Sequence, residues 1–454
     1  MKFFHRIAGI TALSLKSALR TKTTVVLLIL LLAAVTLLPR VVKGDGTPEG
    51  SLHILLTYTL GFSIGLLSLS TLWSSCALFA AEIDSTRIHL TAVKPVRPYE
   101  LWLGKWFALV LINLFMLGIV YLGVYIQIRW KSFHERWPEA RCPAARLVAR
   151  PLLPSPEEEA RILYARMSQR GEIPTNLTER AVLRTLREKA VERYTIINPG
   201  EEIAWKFLLK EPIRPGDPLT LRIRFVTEFS TRSHVSGRCL IKSGELPERE
   251  IEIPLDDFTQ NEISLTVDTA SLLTGSTPRP APALSHFNLT FSNLSDGRKS
   301  SALMLRLRKD LALLTPSESF EMNLLRSSVV HLSLLALLSA FGLTLSACFS
   351  LPVAAFSATV LLMLCIVGNN VVEIVAEEDE AEWKNKPGIW ISRTVHTLTR
   401  EAIEVAPLTS ISRGEKIGGE VLLSACGWNL LALPLLFGLL THLVLSRREL
   451  ADGD

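Results

Sequence analysis

Long apolar runs gather at the two ends of this chain and leave its middle polar. They fall at 24–38, 52–81 and 106–128, and again at 329–349, 353–368 and 421–445. A helix needs about 20 mostly apolar residues to cross the hydrocarbon core of a bilayer, and only helices and closed barrels can do so. The composition agrees. Of 454 residues 48% are apolar and mean hydropathy is +0.30, yet 20% are charged, a combination that fits if the apolar residues are concentrated in spans. The expectation is an α-helical polytopic membrane protein with six spans and an inserted α+β domain.

The charges set the orientation. Residues 1–22 read as an interfacial helix, with Phe3, Phe4, Ile7, Ile10 and Leu13 near one face and Lys2, Arg6, Lys16, Arg20 and Lys22 unopposed by any acid. Such a helix lies along a membrane surface, and its charge holds the N-terminus on the cytoplasmic side. The first span, 23–42, is read as uncleaved, because no small-residue cleavage site follows it. The second, 52–81, exceeds the bilayer's need and should tilt or project inward. A basic elbow with Arg87, Lys94, Arg97 and Lys105 then stays in the cytoplasm, and the third span ends near 128, with Trp102, Trp106 and Tyr125 at its interfaces. Residues 129–325 follow outside. Spans at 329–349 and 353–368 form a tight pair about the Ser350-Leu351-Pro352 turn, and 369–420 lies outside. The last span reaches 445, and 447–454 is a cytoplasmic tail opened by Arg447 and Arg448. If 329–368 is one kinked span instead, 369–420 moves inside.

The 129–325 region begins helical. Ser155-Pro156-Glu157-Glu158 supplies an N-cap, a proline at the first position and early acids, and a Gly171 to Pro174 break precedes a second helix near 178–193. From about residue 200 the period becomes two, at Ile203/Trp205/Phe207/Leu209, Leu219/Leu221/Ile223/Phe225, Ile251/Ile253/Leu255, Ile263/Leu265/Val267, Phe287/Leu289/Phe291 and Leu303/Leu305/Leu307. That alternation predicts half-buried antiparallel strands and a β-sandwich. Of six cysteines, Cys76, Cys348, Cys365 and Cys426 lie in apolar runs as packing residues. Cys142 and Cys239 are able to form one disulfide if the middle region is extracytoplasmic.

Catalytic chemistry finds no foothold. Arg413-Gly414-Glu415-Lys416 lacks the glycine spacing and the following Ser/Thr of a phosphate-binding loop, no H-E-x-x-H or C-x-x-C occurs, and no G-x-S-x-G elbow appears. The run Glu377-Glu378-Asp379-Glu380 with Glu382 lacks the glycine turn and alternating oxygens of a calcium loop and reads as a solvated face. His53 and His331 sit close to the interface and read as hydrated, whereas Asn113 and Asn429, deeper in spans, read as bonded to neighbouring helices. With net charge +5 and basic residues bordering spans rather than lining a groove, nucleic acid is not an expected partner. No catalytic, cofactor-binding or metal residue is assigned, and the chain is not expected to be an enzyme.

The elbow at 82–105 carries the functional signal. Lys94-Pro95 forces an extended break after a short helix, and a new helix restarts at Tyr99-Glu100. The ordered set Glu82, Thr86, Lys94-Pro95-Val96, Glu100 and Gly104-Lys105 resembles the cytoplasmic segment of type 2 ABC-transporter permeases. There an E-x-x-x-T helix, a K-P-V-x-R turn and an E-x-x-x-G-K helix start link the second and third spans. Pro98 stands where that family has its arginine, and Arg97 falls one place early. The resemblance implies a permease pairing with a second permease subunit, identical or paralogous, in a bacterial inner membrane. It also implies docking on a separate cytoplasmic ATPase that supplies ATP and Mg. Glu82, Thr86, Arg87, Lys94, Pro95, Arg97, Glu100, Gly104 and Lys105 would form the ATPase-coupling contact. The alternative is a membrane-anchored extracytoplasmic binding or scaffold protein with no transport activity.

Overall fold

The computed structural model describes residues 2–42, 53, 55–84, 97–134, 145–153, 155–173, 178–214, 216–227, 233–244, 250–269, 284–295, 302–377 and 407–449. They divide into two compact units, Met1–Ala145 with Ser319–Asp454, and Arg146–Glu318. The chain opens with α1 (Lys2–Arg20), α2 (Lys22–Val41), a first π-helix (Leu55–Leu60), α3 (Gly61–Asp84) and α4 (Pro98–His134). Next come β1 (Ala145–Ala149), β2 (Pro151–Leu152), α5 (Pro156–Arg170), α6 (Glu179–Thr195), β3 (Ile196–Ile197), β4 (Glu202–Ile213), β5 (Pro218–Ile223) and β6 (Val226–Thr227). The second unit continues with β7 (His234–Ser243), β8 (Glu250–Phe258), β9 (Ile263–Asp268), β10 (Leu284–Asn293), β11 (Leu303–Met304), α7 (Leu307–Asp310) and β12 (Leu311–Glu318). The first unit then resumes with α8 (Phe320–Cys348), α9 (Leu351–Glu377), α10 (Pro407–Ser412), α11 (Gly419–Cys426), a second π-helix (Gly427–Ala432) and α12 (Leu433–Glu449).

Among the described residues five helices are long and apolar enough to cross a membrane: Lys22–Val41, Leu55–Leu78, Pro98–Lys131, Phe320–Cys348 and Gly419–Ser446. The chain therefore has the build of a helical membrane protein carrying antiparallel sheets. The helix α9 follows α8 directly through the expected tight turn, and its described side chains are apolar over Leu351–Leu364. Burial separates core from periphery. On α2, Val25, Val26, Ile29 and Leu37 are exposed apolar side chains, as lipid-facing residues are, whereas α8 is the most buried span.

Small and hydroxylated residues let α8 pack closely, the means of association left to helices surrounded by lipid. A Cβ on Gly342 would collide with the Ser75 hydroxyl of α3. Asn113 of α4 accepts from Thr71 of α3 at 2.7 Å and donates to Ser339 of α8 at 3.3 Å. Asn429 donates to Ser333 of α8 at 3.4 Å. Both asparagines thus bond neighbouring helices.

In the second unit β2-β4-β10-β7-β8 form a five-stranded sheet and β1-β12-β5-β9 a four-stranded one, with β3-β11-β6 as a small third. Strands β4, β10 and β7 pair antiparallel, with Phe207 opposite Phe287, Trp205 opposite Leu289 and Leu289 opposite Ile241. In the other sheet Leu221 stands opposite both Leu313 and Leu265. Inward side chains of both larger sheets, among them Trp205, Phe207, Phe291, Leu221, Ile223 and Leu313, join one apolar core. The helices α5 and α6 pack on each other through Ala160, Val182 and Leu186. Ser155 and Pro156 start α5 as expected, and Gly171 ends it at φ 67, the left-handed cap that glycine adopts freely.

Several expectations are corrected. The helices α4 and α8 run through residues 129–134 and 320–325, so the second unit is narrower than 129–325. Strands β1 and β2 precede its helices, and Leu303/Leu305/Leu307 yields a two-residue strand followed by the single turn α7. His331 is not hydrated but 4% exposed, its Nδ1 2.6 Å from Tyr121 Oη and 3.0 Å from Ser327 O. Cys239 is a free thiol inside the core, turned to no disulfide, and Cys142 lies outside the described residues. The end of the 369–420 segment is packed against the helices of the first unit. Leu408, Ile411 and Ile417 pack into the core of the first unit, and Asn323 holds the chain there, donating to Glu415 O and accepting from Ile417 N, both at 2.8 Å. Glu378, Asp379, Glu380 and Glu382 lie outside the described residues.

Candidate functional site at the start of α4

Local sequence rules explain where α4 begins. Pro98 occupies the first helical position, where no N–H is needed. Glu100, two residues on, turns back so that its Oε2 accepts from the Arg97 backbone N–H at 3.1 Å, the return half of a capping box. Glu100 is only 3% exposed, and the same Oε2 lies 3.7 Å from Arg6 Nη1 of α1. The residue therefore does two things, capping α4 and drawing α1 onto it. Arg97 itself is exposed, donating from Nη1 to Tyr99 Oη at 3.2 Å.

Helix α1 crosses α4 at Gly104. A Cβ there would stand 2.6 Å from Ile10 Cγ2 and 3.3 Å from Ile7 O, and Thr11 Oγ1 donates to Gly104 O at 3.0 Å. Only glycine permits this approach. Lys105 is 1% exposed and sends Nζ to Leu78 O of α3 at 3.0 Å. A buried ammonium is tolerated only with such partners. On the remaining flank Tyr99 meets His442 of α12 edge-on, centroids 5.9 Å apart, and Trp102 lies on Gly438, whose Cβ would be 3.0 Å from the indole. Trp102 stacks on Trp106 at 6.0 Å, and Trp106 Nε1 donates to Ala336 O of α8 at 2.9 Å.

Of the nine expected contact residues, Arg97, Glu100, Gly104 and Lys105 come together here, and Glu82 falls in the last turns of α3. Thr86, Arg87, Lys94 and Pro95 lie outside the described residues. Glu100 and Lys105 face inward, so their contribution is to fasten the joint, while Arg97 faces outward. Sequence reasoning missed Arg6, Ile10, Thr11, Tyr99 and His442. Arg6 and Ile10, four residues apart, share one side of α1, the one signal that pointed to either. Among the described residues no group of three His, Cys, Asp or Glu is placed to hold a metal ion. What the arrangement can do is mechanical: within ten residues the start of α4 is bonded to α1, α3, α8 and α12. Compared with protein-family models, curated proteins and solved structures, the chain matches none.

Proposed function

We propose that this chain is the membrane permease subunit of a type 2 ABC transporter, exporting its cargo across a bacterial inner membrane with ATP hydrolysed by a separate cytoplasmic ATPase that carries ATP and Mg. In this reading α9 completes six spans, both termini are cytoplasmic, the Arg146–Glu318 unit is an extracytoplasmic β-sandwich, and a second permease subunit completes the path. The ordered elbow pattern supports the reading, and one observation carries it. The helix that restarts after the elbow is fixed to four other helices within its first three turns, through Glu100 and Gly104 to α1, Lys105 to α3, Trp106 to α8, and Tyr99 and Trp102 to α12. A push delivered to 85–96 by a docked ATPase then moves these helices together instead of bending one.

The test is purification of tagged protein in mild detergent with mass spectrometry of what stays bound. A stoichiometric ATPase with a phosphate-binding loop, lost in the Lys94→Glu/Arg97→Glu variant while membrane insertion persists, is the expected result. Unchanged association in that variant removes the elbow's role. The anchored-binder reading has its own support in the separate core of the second unit. It predicts envelope partners retained by the full chain whether or not the elbow is altered.

A further inference from the structure

Ser and Thr within apolar helices commonly return their hydroxyl to a carbonyl three or four residues earlier. The first unit does this repeatedly: Thr36 donates to Leu32 O, Ser75 to Leu72 O, Ser333 to Val330 O, Ser339 to Leu335 O and Thr441 to Phe437 O, at 2.7 to 2.9 Å. Thr59 and Ser63 do not. They are 1% and 0% exposed, and neither hydroxyl oxygen has a hydrogen-bond partner. Thr57 Oγ1, nearby, is also buried without one.

The backbone supplies the reason. Thr57 and Thr59 belong to the first π-helix, Leu55–Leu60. Its i→i+5 bonding turns carbonyls out of the register that a hydroxyl reaches in an α-helix. Thr59 and Ser63, four residues apart across the junction with α3, share one face. The apolar residues Leu55, Leu56, Leu60 and Ile64 interleave with them in the buried core. Unsatisfied buried oxygens cost free energy, and π-helical turns occur frequently at functional sites.

The donor set selects the ligand. It consists of neutral hydroxyl and carbonyl oxygens with no carboxylate between Leu55 and Ile64. Calcium and magnesium are bound through carboxylates, whereas carbonyls of interrupted membrane helices coordinate sodium. We propose that Thr59, Ser63 and carbonyls of the first π-helix form a binding site for a monovalent cation, sodium in the first instance. This does not depend on the transporter reading.

The experiment is thermal unfolding of the purified full-length protein in detergent, titrated with sodium chloride against choline chloride at constant ionic strength. Sodium is expected to raise the midpoint saturably, by about 3 °C or more. Thr59→Val and Ser63→Ala should abolish the rise, and Thr59→Ser, which keeps the oxygen, should retain it. Equal midpoints in the two salts for the unaltered protein overturn the proposal, whatever the variants do. So does a sodium effect that survives both oxygen-deleting changes.

Discussion

Helix α4 contains two glycines that should respond oppositely to the same substitution. A Cβ at Gly118 meets nothing within 4 Å, whereas at Gly104 it falls 2.6 Å from Ile10 Cγ2 and 2.7 Å from Ile10 Cβ. Alanine favours a helix interior over glycine by about 1 kcal/mol, so Gly118→Ala should be stabilising by up to that amount. Gly104→Ala has the same local gain, but the collision involves the branched carbon of Ile10, which cannot swing aside without moving α1. Overpacking of this kind costs about 1–3 kcal/mol, and loss of the Thr11 hydroxyl bond to Gly104 O adds about 1 kcal/mol. The net expectation is a loss of about 1–3 kcal/mol. Equilibrium unfolding in mixed micelles measures the difference, and trypsin cleavage at Lys16 and Arg20 locates it, since released α1 should be cut faster. If Gly104→Ala matches Gly118→Ala in stability and α1 stays equally protected, the close crossing of α1 and α4 does not exist.

Glu100→Ala leaves the Arg97 N–H without its acceptor and should cost about 1–2 kcal/mol. Glu100→Gln keeps an acceptor and loses only the partly exposed pairing with Arg6, at most about 1 kcal/mol; added salt should shrink the gap between Glu100→Gln and the unaltered protein. Asn323→Ala removes both bonds to the 415–417 segment and strands the Ile417 amide, for about 1–3 kcal/mol. Amide exchange should then quicken at 415–417 more than elsewhere, and uniform exchange would count against the clamp. Burial pushes the Cys239 thiol from the ordinary 9.0 up to about 12, so the fold favours its protonated form. Its stabilising contribution is complete below pH 9.0 and falls away as pH rises from 9.0 towards 12, at about 1.4 kcal/mol per pH unit. The alkaline loss should be smaller in Cys239→Ala, and maleimide should label Cys239 only after unfolding.

What the sequence revealed and what it hid divide along physical lines. Apolar length marked the spans because lipid demands it of every such helix. Period two marked β4 and β10 because each has one wet and one dry face. It missed β12, whose Leu311, Ala312, Leu313 and Leu314 are all buried, and a strand dry on both faces has no alternation to read. It missed β7 for another reason: Gly237 and Cys239 stand at inward positions, and a Cβ at Gly237 would lie 2.6 Å from the Phe291 ring. The large residue that completes that pattern belongs to the neighbouring strand. At the elbow, a helix start near Tyr99-Glu100 was legible, one residue from the observed start at Pro98. That Glu100 and Lys105 turn inward was not, because the groups receiving them, Arg6 and Leu78 O, come from distant parts of the chain.

Hydropathy alone ranks α2 above α8, yet burial reverses the order of these two. In lipid an apolar side chain gains little by leaving the tails for another helix, so the residues that join helices are small or polar. Helix α8 carries them along its length: Ser327 and His331 towards Tyr121, Ser333 towards Asn429, Ser339 towards Asn113, and Thr344 towards Thr441 at 3.0 Å. Each partner belongs to α4 or to the last span, and Trp106 bonds the start of α4 to the same helix at Ala336. A displacement imposed at residues 97–105 therefore reaches α8 within one helical turn of Lys105. From there it spreads along seams held by single hydroxyl and amide bonds, and α2, facing lipid, has the least part in it.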